Sequence, residues 1–216
     1  MPNPGFQVSL DVQGRTCLVL GGDDEAADKA QRLLDAGAKV TLINPTLNAT
    51  LRQLTASGKI IHRARRFREA DLEGVVLVIN TLRGDSAYSR SLLELTRKER
   101  ILLCSVDQPE FSTVMLPALI RRGHLRLAVS TSGIAPALAS RLRRQLEGLF
   151  NDEFAAYLDW LAALREDLRE AEPDAERRRE RLRQAVEGFQ LSGTIRYPEA
   201  WLEERDKPRR SPSASN

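Results

Sequence analysis

Three stretches of this 216-residue chain carry residue types that can hold or act on a ligand. Gly21 and Gly22 follow the apolar run TCLVL and precede Asp23, Asp24, Glu25 and a helix-like pattern. A glycine pair that opens a helix presents free backbone N–H groups and the positive end of the helix dipole, which suits the pyrophosphate of a dinucleotide. Measured against G-x-G-x-x-A, Asp23 stands where the second glycine belongs. Asn44 ends the next apolar run, where an acidic residue would grip a ribose hydroxyl, and its amide selects strongly for neither form of the dinucleotide. Asp107 closes ILLCSV at the edge where open α/β sheets place their ligands. The same aspartate, in Asp107-Gln108-Pro109-Glu110, also suits a turn cap, and the residues alone favour the cap. Ser130, Thr131, Ser132 and Gly133 precede Ile134-Ala135-Pro136 and a helix, an arrangement fit for a carboxylate or for ordinary N-capping by Ser132. Arg121, Arg122 and His124 lie near them in sequence, in a turn that solubility alone would make basic. His62, beside Arg63, Arg65 and Arg66, reads as structural or solvated.

The elements that must position these residues follow from periodicity. VQGRTCLVLG is a turn and then a short apolar run, the pattern of a strand buried on both faces. Residues 24–36 place alanines and leucines at helical spacing, closed by Gly37. KVTLINP is a second strand, so about 30 residues carry the chain through one βαβ unit with an expected right-handed crossover. A polar helix from Thr46 to Ser57, the strand-like KIIHRARRF, the apolar run DLEGVVLVIN, a helix over 85–98 and ILLCSVD continue the alternation, which predicts an α/β doubly wound parallel sheet. After Asp107 short strands and turns predict a second, small sheet. Residues 135–189 read as helical, with Leu138, Leu142, Leu146 and Leu149 on one stripe and a break at Pro173. From Ala163 to Arg183 there are seven arginines and seven acids, a solvated face laced with ion pairs. The expected organisation is a Rossmann-like domain at 1–111, a small sheet with its linking helix at 112–149, a helical region at 150–205 and a disordered tail at 206–216.

Composition excludes several classes. The chain carries 33 Lys and Arg against 30 Asp and Glu, a net charge of +3, too small and too dispersed for a nucleic-acid binder. No apolar run approaches the ~20 residues that span a bilayer, and the first residues lack the order of a signal peptide, so a cytoplasmic protein is expected. Cys17 and Cys104 have no metal-like spacing and read as buried thiols; no resident metal is expected.

In the order and spacing of five blocks the chain resembles the precorrin-2 dehydrogenase/sirohydrochlorin ferrochelatase family, which also supplies the N-terminal module of siroheme synthases. The blocks are VQGRTCLVLGG (12–22), KAQRLLDAGAKVTLINP (29–45), RFREADLEGVVLVIN (66–80), LLCSVDQPEFSTVMLPALIRRG (102–123) and LRLAVSTSGIAPALASRLRRQLE (125–147). The resemblance implies an NAD-binding Rossmann domain, a small dimerisation sheet and a helical C-terminal region. It implies NAD-dependent oxidation of precorrin-2 to sirohydrochlorin, with ferrous iron as a further substrate where the member is also a chelatase, and a homodimer. Asp107 matches the family's active-site aspartate, and the resemblance makes it the general base that takes the proton lost as hydride leaves. Gly21, Gly22, Asp23, Asp24, Glu25, Asn44, Pro45, Thr46 and Thr81 fall on the cofactor side. Ser130, Thr131, Ser132, Arg121 and Arg122 fall on the tetrapyrrole side, Thr131 aligning with a serine that the family can phosphorylate.

The departures from the family gather at the cofactor. Besides Asp23, Leu82 and Arg83 replace a Thr-Asp pair, and Asp28 replaces an arginine. A carboxylate about 5 Å from a pyrophosphate charge costs on the order of 3 kcal/mol at an effective dielectric near 20. Arg83 offers a new partner, to the phosphate or to Asp23. Two further readings follow: a tetrapyrrole-binding or chelatase-only protein whose NAD site has decayed, and a regulatory module on a Rossmann scaffold.

Overall fold

The computed structural model describes residues 5–199, 201 and 202. Five short apolar runs become parallel strands: β1 (Thr16–Leu20), β2 (Lys39–Ile43), β3 (Ile60–Arg63), β4 (Val75–Asn80) and β5 (Leu102–Ser105). They pair in the order β3-β2-β1-β4-β5, every pairing parallel. Because side chains alternate across a strand, β1 sends Cys17 and Val19 to one face and Leu18 and Leu20 to the other, and both sets are buried. The first face is covered by α1 (Asp24–Asp35) and α2 (Ala49–Ala56), through Ala26, Ala30, Leu51 and Leu54. The second is covered by α3 (Ser86–Lys98), through Leu92 and Leu93, and by Phe111. Strand order reverses between β1 and β4, and the loops leaving their carboxyl ends part there, which opens the crevice that such sheets use for ligands.

Local chemistry sets the helix ends. Asp23 caps α1, its Oδ1 accepting the Ala26 amide at 3.0 Å. Gly37, at φ 77°, turns the chain out of α1, its amide donating to Leu34 O at 2.9 Å. The polar helix expected from Thr46 begins later, at Ala49, because Asn48 accepts the Leu51 amide and becomes the cap.

A hairpin of β6 (Ala118–Arg122) and β7 (Leu125–Val129) forms the small antiparallel sheet, with Ala118 opposite Val129. The helix α4 (Pro136–Glu147) follows it, then α5 (Asp152–Ala171) and α6 (Ala175–Ala185). The expected break at Pro173 lies between α5 and α6. A second break, absent from the periodicity reading, separates α4 from α5: Gly148 closes α4, and Asn151 Oδ1 accepts the Phe154 amide at 3.0 Å. The leucine stripe runs over that break, and Leu138 and Leu149 remain 51% and 49% exposed.

The chain forms two compact units that meet between Ala155 and Ala156. The first holds both sheets and α1 to α4. In the second, Tyr157 stacks on Trp160 and on Phe189, each with ring centroids 5.9 Å apart, and its hydroxyl donates to Ala185 O at 3.0 Å. The tail expected at 206–216 lies outside the described residues.

Candidate functional site

The turn after β1 is built so that only glycine fits. Gly21 has φ 139°, and a Cβ there would stand 2.0 Å from Thr81 Oγ1. At Gly22 a Cβ would stand 2.0 Å from the Thr46 carbonyl oxygen and 2.5 Å from Asn44 Nδ2. Thr81, almost wholly buried, donates through Oγ1 to Leu20 O at 3.0 Å, and Asn44 Nδ2 donates to Thr46 O at 2.6 Å. The loops after β1, β2 and β4 thus close on the glycine pair and bring Gly21, Gly22, Asn44, Thr46 and Thr81 together. Pro45 is exposed on the same rim. His62 Nε2 donates to the Asn44 carbonyl at 2.9 Å and so has a structural role there.

Asp23 takes an ordinary extended backbone, φ −96°, so the missing second glycine introduces no strain. Its carboxylate occupies the Ala26 amide and leaves the Asp24 and Glu25 amides at the mouth of the helix. The remaining acids are partnered. Asp24 Oδ1 accepts from Asn48 Nδ2 at 2.7 Å, and Lys29 Nζ lies 2.6 Å from Glu25 and 2.8 Å from Asp28. Burial disfavours the Lys29 ammonium, but the hydrogen bonds it donates to Asp28 and Glu25, with their charges, outweigh it and raise its pKa overall.

Asp107 sits in the turn after β5 at φ 61°, a left-handed conformation that aspartate adopts more readily than most side chains. The turn is pinned: Val106 N donates to Asn80 O at 2.8 Å, and Gln108 N to Ser105 O at 3.1 Å. Ser112 Oγ accepts the Ser105 amide at 2.9 Å. The cap reading of Asp107 is overturned, since the 3-10 turn that follows (Pro109–Phe111) begins at Gln108 without a side-chain cap. The carboxylate projects into solvent, 68% exposed, with Arg83 Nη2 3.2 Å from its Oδ2. The same Arg83 nitrogen lies 3.9 Å from Glu25 Oε2, so Arg83 meets Glu25 and Asp107, and not Asp23 as the sequence suggested. Beside Asp107 in the chain, Ser105 Oγ and Gln108 Oε1 are buried with no hydrogen-bond partner among the described residues. Buried polar atoms normally have a partner, so these two call for water or a polar ligand group.

The substrate-side residues divide. Ser130 Oγ accepts the Ser132 amide at 3.2 Å, and Thr131 Oγ1 accepts the Ala135 amide at 3.2 Å. Ser132, at φ 53°, does not cap α4; the cap position is Ala135, which has no side-chain hydrogen bond. Ser130, Thr131 and Ser132 therefore form a turn of hydroxyls ahead of α4. Arg121 and Arg122 have partners within the chain. Arg121 pairs with Asp35 at 2.6 Å, and Arg122 Nε donates to Phe150 O at 2.8 Å. Asp35 ends α1, about 18 Å along the helix from the glycine turn.

The structure also shows a cluster in the basic loop after His62 that the sequence analysis did not single out. Arg63 and Arg65 converge on buried Asp71, Arg63 through one bond and Arg65 through two of 2.7 and 2.6 Å, and the Arg68 amide adds a fourth at 2.8 Å. These bonds, Arg65 first, outweigh burial and hold the Asp71 carboxyl well below the usual carboxylate range. A carboxylate three residues after Arg68 was the available signal. Cys17 and Cys104 are free and buried, and burial pushes the Cys17 thiol up to about 11. Among the described residues no group of three or more His, Cys, Asp or Glu side chains is placed to hold a metal.

Comparison with known proteins agrees with this architecture. Residues 8–118 match the family described as "Putative NAD(P)-binding", and residues 122–149 match "Sirohaem biosynthesis protein central". Siroheme synthase 1 of Halorhodospira halophila is 35% identical over 197 residues, covering 90% of this chain and 40% of the relative. The siroheme synthase of Neisseria meningitidis is 38% identical over 144 residues, covering 67% of this chain and 30% of the relative. The chain thus spans two fifths or less of the curated relatives it matches. Among solved structures, SirC, a precorrin-2 dehydrogenase, superposes with a TM-score of 0.71 at 25% identity, covering 85% of this chain and 90% of its own. With the first match taking in just over half its length, the chain belongs to the family described as "Putative NAD(P)-binding", and the second match with the siroheme synthase and SirC similarities agrees with the precorrin-2 dehydrogenase and siroheme synthase family that its sequence blocks resemble.

Proposed function

We propose that this chain oxidises precorrin-2 to sirohydrochlorin with NAD as the oxidant. The observation that carries the reading is Asp107: a carboxylate held in a left-handed turn at the carboxyl end of β5, beside the strand-order switch, capping nothing and facing solvent. The residues present fit a dinucleotide. The glycine turn admits no Cβ, two amides at the start of α1 are left for a phosphate, and the orphaned Ser105 Oγ and Gln108 Oε1 sit next to Asp107. NAD, when bound, accepts the hydride.

The chain's own residues do the rest. Gly21 and Gly22, walled by Thr81, Asn44 and Thr46, shape the turn that receives the phosphates, with Pro45 on the rim. Asp107 takes the proton that leaves the tetrapyrrole as the hydride departs, so two electrons and two hydrogens leave the substrate in all. The Ser130, Thr131 and Ser132 turn offers hydroxyls to a tetrapyrrole carboxylate. In this reading residues 1–111 serve the cofactor, 112–149 the substrate and the dimer, and 150–205 the helical region. The protein acts as a homodimer in the cytoplasm. No helix among the described residues is long and apolar enough to cross a membrane.

A second reading is favoured by one observation: Asp23 spends its carboxylate on the Ala26 amide that a phosphate would use. In that reading the chain binds sirohydrochlorin and inserts ferrous iron without oxidising precorrin-2. Mixing the protein with precorrin-2 and NAD decides between them. NADH and sirohydrochlorin in equal amounts are the expected products; bound sirohydrochlorin and iron insertion with no NADH would replace the first reading by the second.

A further inference from the structure

Arg83 stands outside the family's pattern, yet it joins two loops of the candidate site. Its guanidinium reaches Asp107 Oδ2 at 3.2 Å and Glu25 Oε2 at 3.9 Å, so one side chain from the loop after β4 touches the turn after β5 and the first turn of α1. The bridge crosses the switch point between β1 and β4. Its two ends are unequal. Glu25 already has Lys29 at 2.6 Å, whereas Arg83 is the ion-pair partner the structure gives Asp107 among the described residues. Arg83 is 58% exposed, and exposed ion pairs exchange at little cost. A planar guanidinium with five donors matches a phosphate as well as a carboxylate.

We propose that Arg83 is a positioning residue shared between the Asp107 carboxylate and the dinucleotide phosphate, so that the two compete for one guanidinium. The proposal rests on the dinucleotide reading above. It explains how an acidic turn tolerates an anion: the cation lacking at Asp28 is supplied from the loop after β4. It also gives Asp107 a cause to be released once the crevice is filled, leaving its carboxylate to face the substrate.

The test is a double-mutant cycle read as the NAD dissociation constant by calorimetry on the full chain, with Arg83→Ala, Asp107→Asn and the pair. Asparagine keeps the size of Asp107 and tolerates its left-handed backbone. Arg83→Ala is expected to weaken NAD several-fold, with Arg83→Lys restoring part of the loss. Asp107→Asn is expected to tighten NAD about threefold when Arg83 is present, the scale of one exposed ion pair, and to leave it unchanged in the Arg83→Ala background. Tightening of equal size in both backgrounds would reflect a carboxylate repelling phosphate and would overturn the exchange, as would no tightening at all. Absence of NAD binding by the unmutated chain and every variant would overturn the dinucleotide reading and this inference with it. Coincident thermal melting curves exclude misfolding as the source of any difference.

Discussion

At the residue scale the site is a set of carboxylates given different work by their partners. Asp23 caps a helix, Asp24 binds an asparagine, Glu25 shares a lysine and an arginine, and Asp107 faces solvent beside that arginine. The charge of Asp23 is what the phosphate must tolerate. At about 5 Å Coulomb's law brackets that cost between about 1 kcal/mol in water and about 3 kcal/mol at an effective dielectric of 20. Asp23→Asn removes the charge but keeps a good cap, so it is expected to tighten NAD about fivefold to a hundredfold in calorimetry with an unchanged melting temperature. Unaltered affinity would show that Asp23 does not face the phosphates. Asp107 was legible because it follows a strand that was itself legible. Its partner was not, since Glu25 on α1 and Arg83 and Asp107 on two loops meet only once the sheet is ordered.

At the element scale the parallel strands were readable because burial on both faces makes them continuous apolar runs, and each helix between them carries one apolar face. The turns were less readable. The hydrogen bond that starts α2 comes from Asn48 rather than from the periodic pattern, and the gap between α4 and α5 depends on Gly148 and Asn151. Most hidden was Asp71, which ties the end of β3 to the turn before β4 through Arg63 and Arg65. Because folding depresses the pKa of Asp71, the stability it contributes is present above the unfolded carboxylate value of about 4 and is lost as pH falls through that range. Asp71→Asn is expected to destabilise the fold by about 2 kcal/mol at pH 7, the scale of a charged hydrogen-bond cluster. The difference from the unmutated protein should shrink below about pH 4 in denaturant titrations. A difference independent of pH would assign Asp71 a packing role instead.

At the scale of the whole molecule, the small hairpin and α4 leave surface that one chain does not cover. A two-stranded sheet is marginal alone, and Leu138 on α4 and Leu149 in the α4–α5 break stay about half exposed. Contact with a second copy would bury both. Leu138→Asp combined with Leu149→Asp is expected to convert a dimer to a monomer in sedimentation at micromolar concentration; a monomeric unmutated chain would contradict the homodimer. The family was legible from block order over residues 12–147, whereas the pairing of Arg121 with Asp35 was not, because nearness in sequence to a hydroxyl turn says nothing about which end of a hairpin a residue occupies. The most direct measurement is the rate of NADH formation from precorrin-2 by the unmutated protein and by Asp107→Asn. The account predicts NADH from the former and a turnover reduced by about a hundredfold or more in the latter, although NAD is still bound. Full turnover by Asp107→Asn would contradict it.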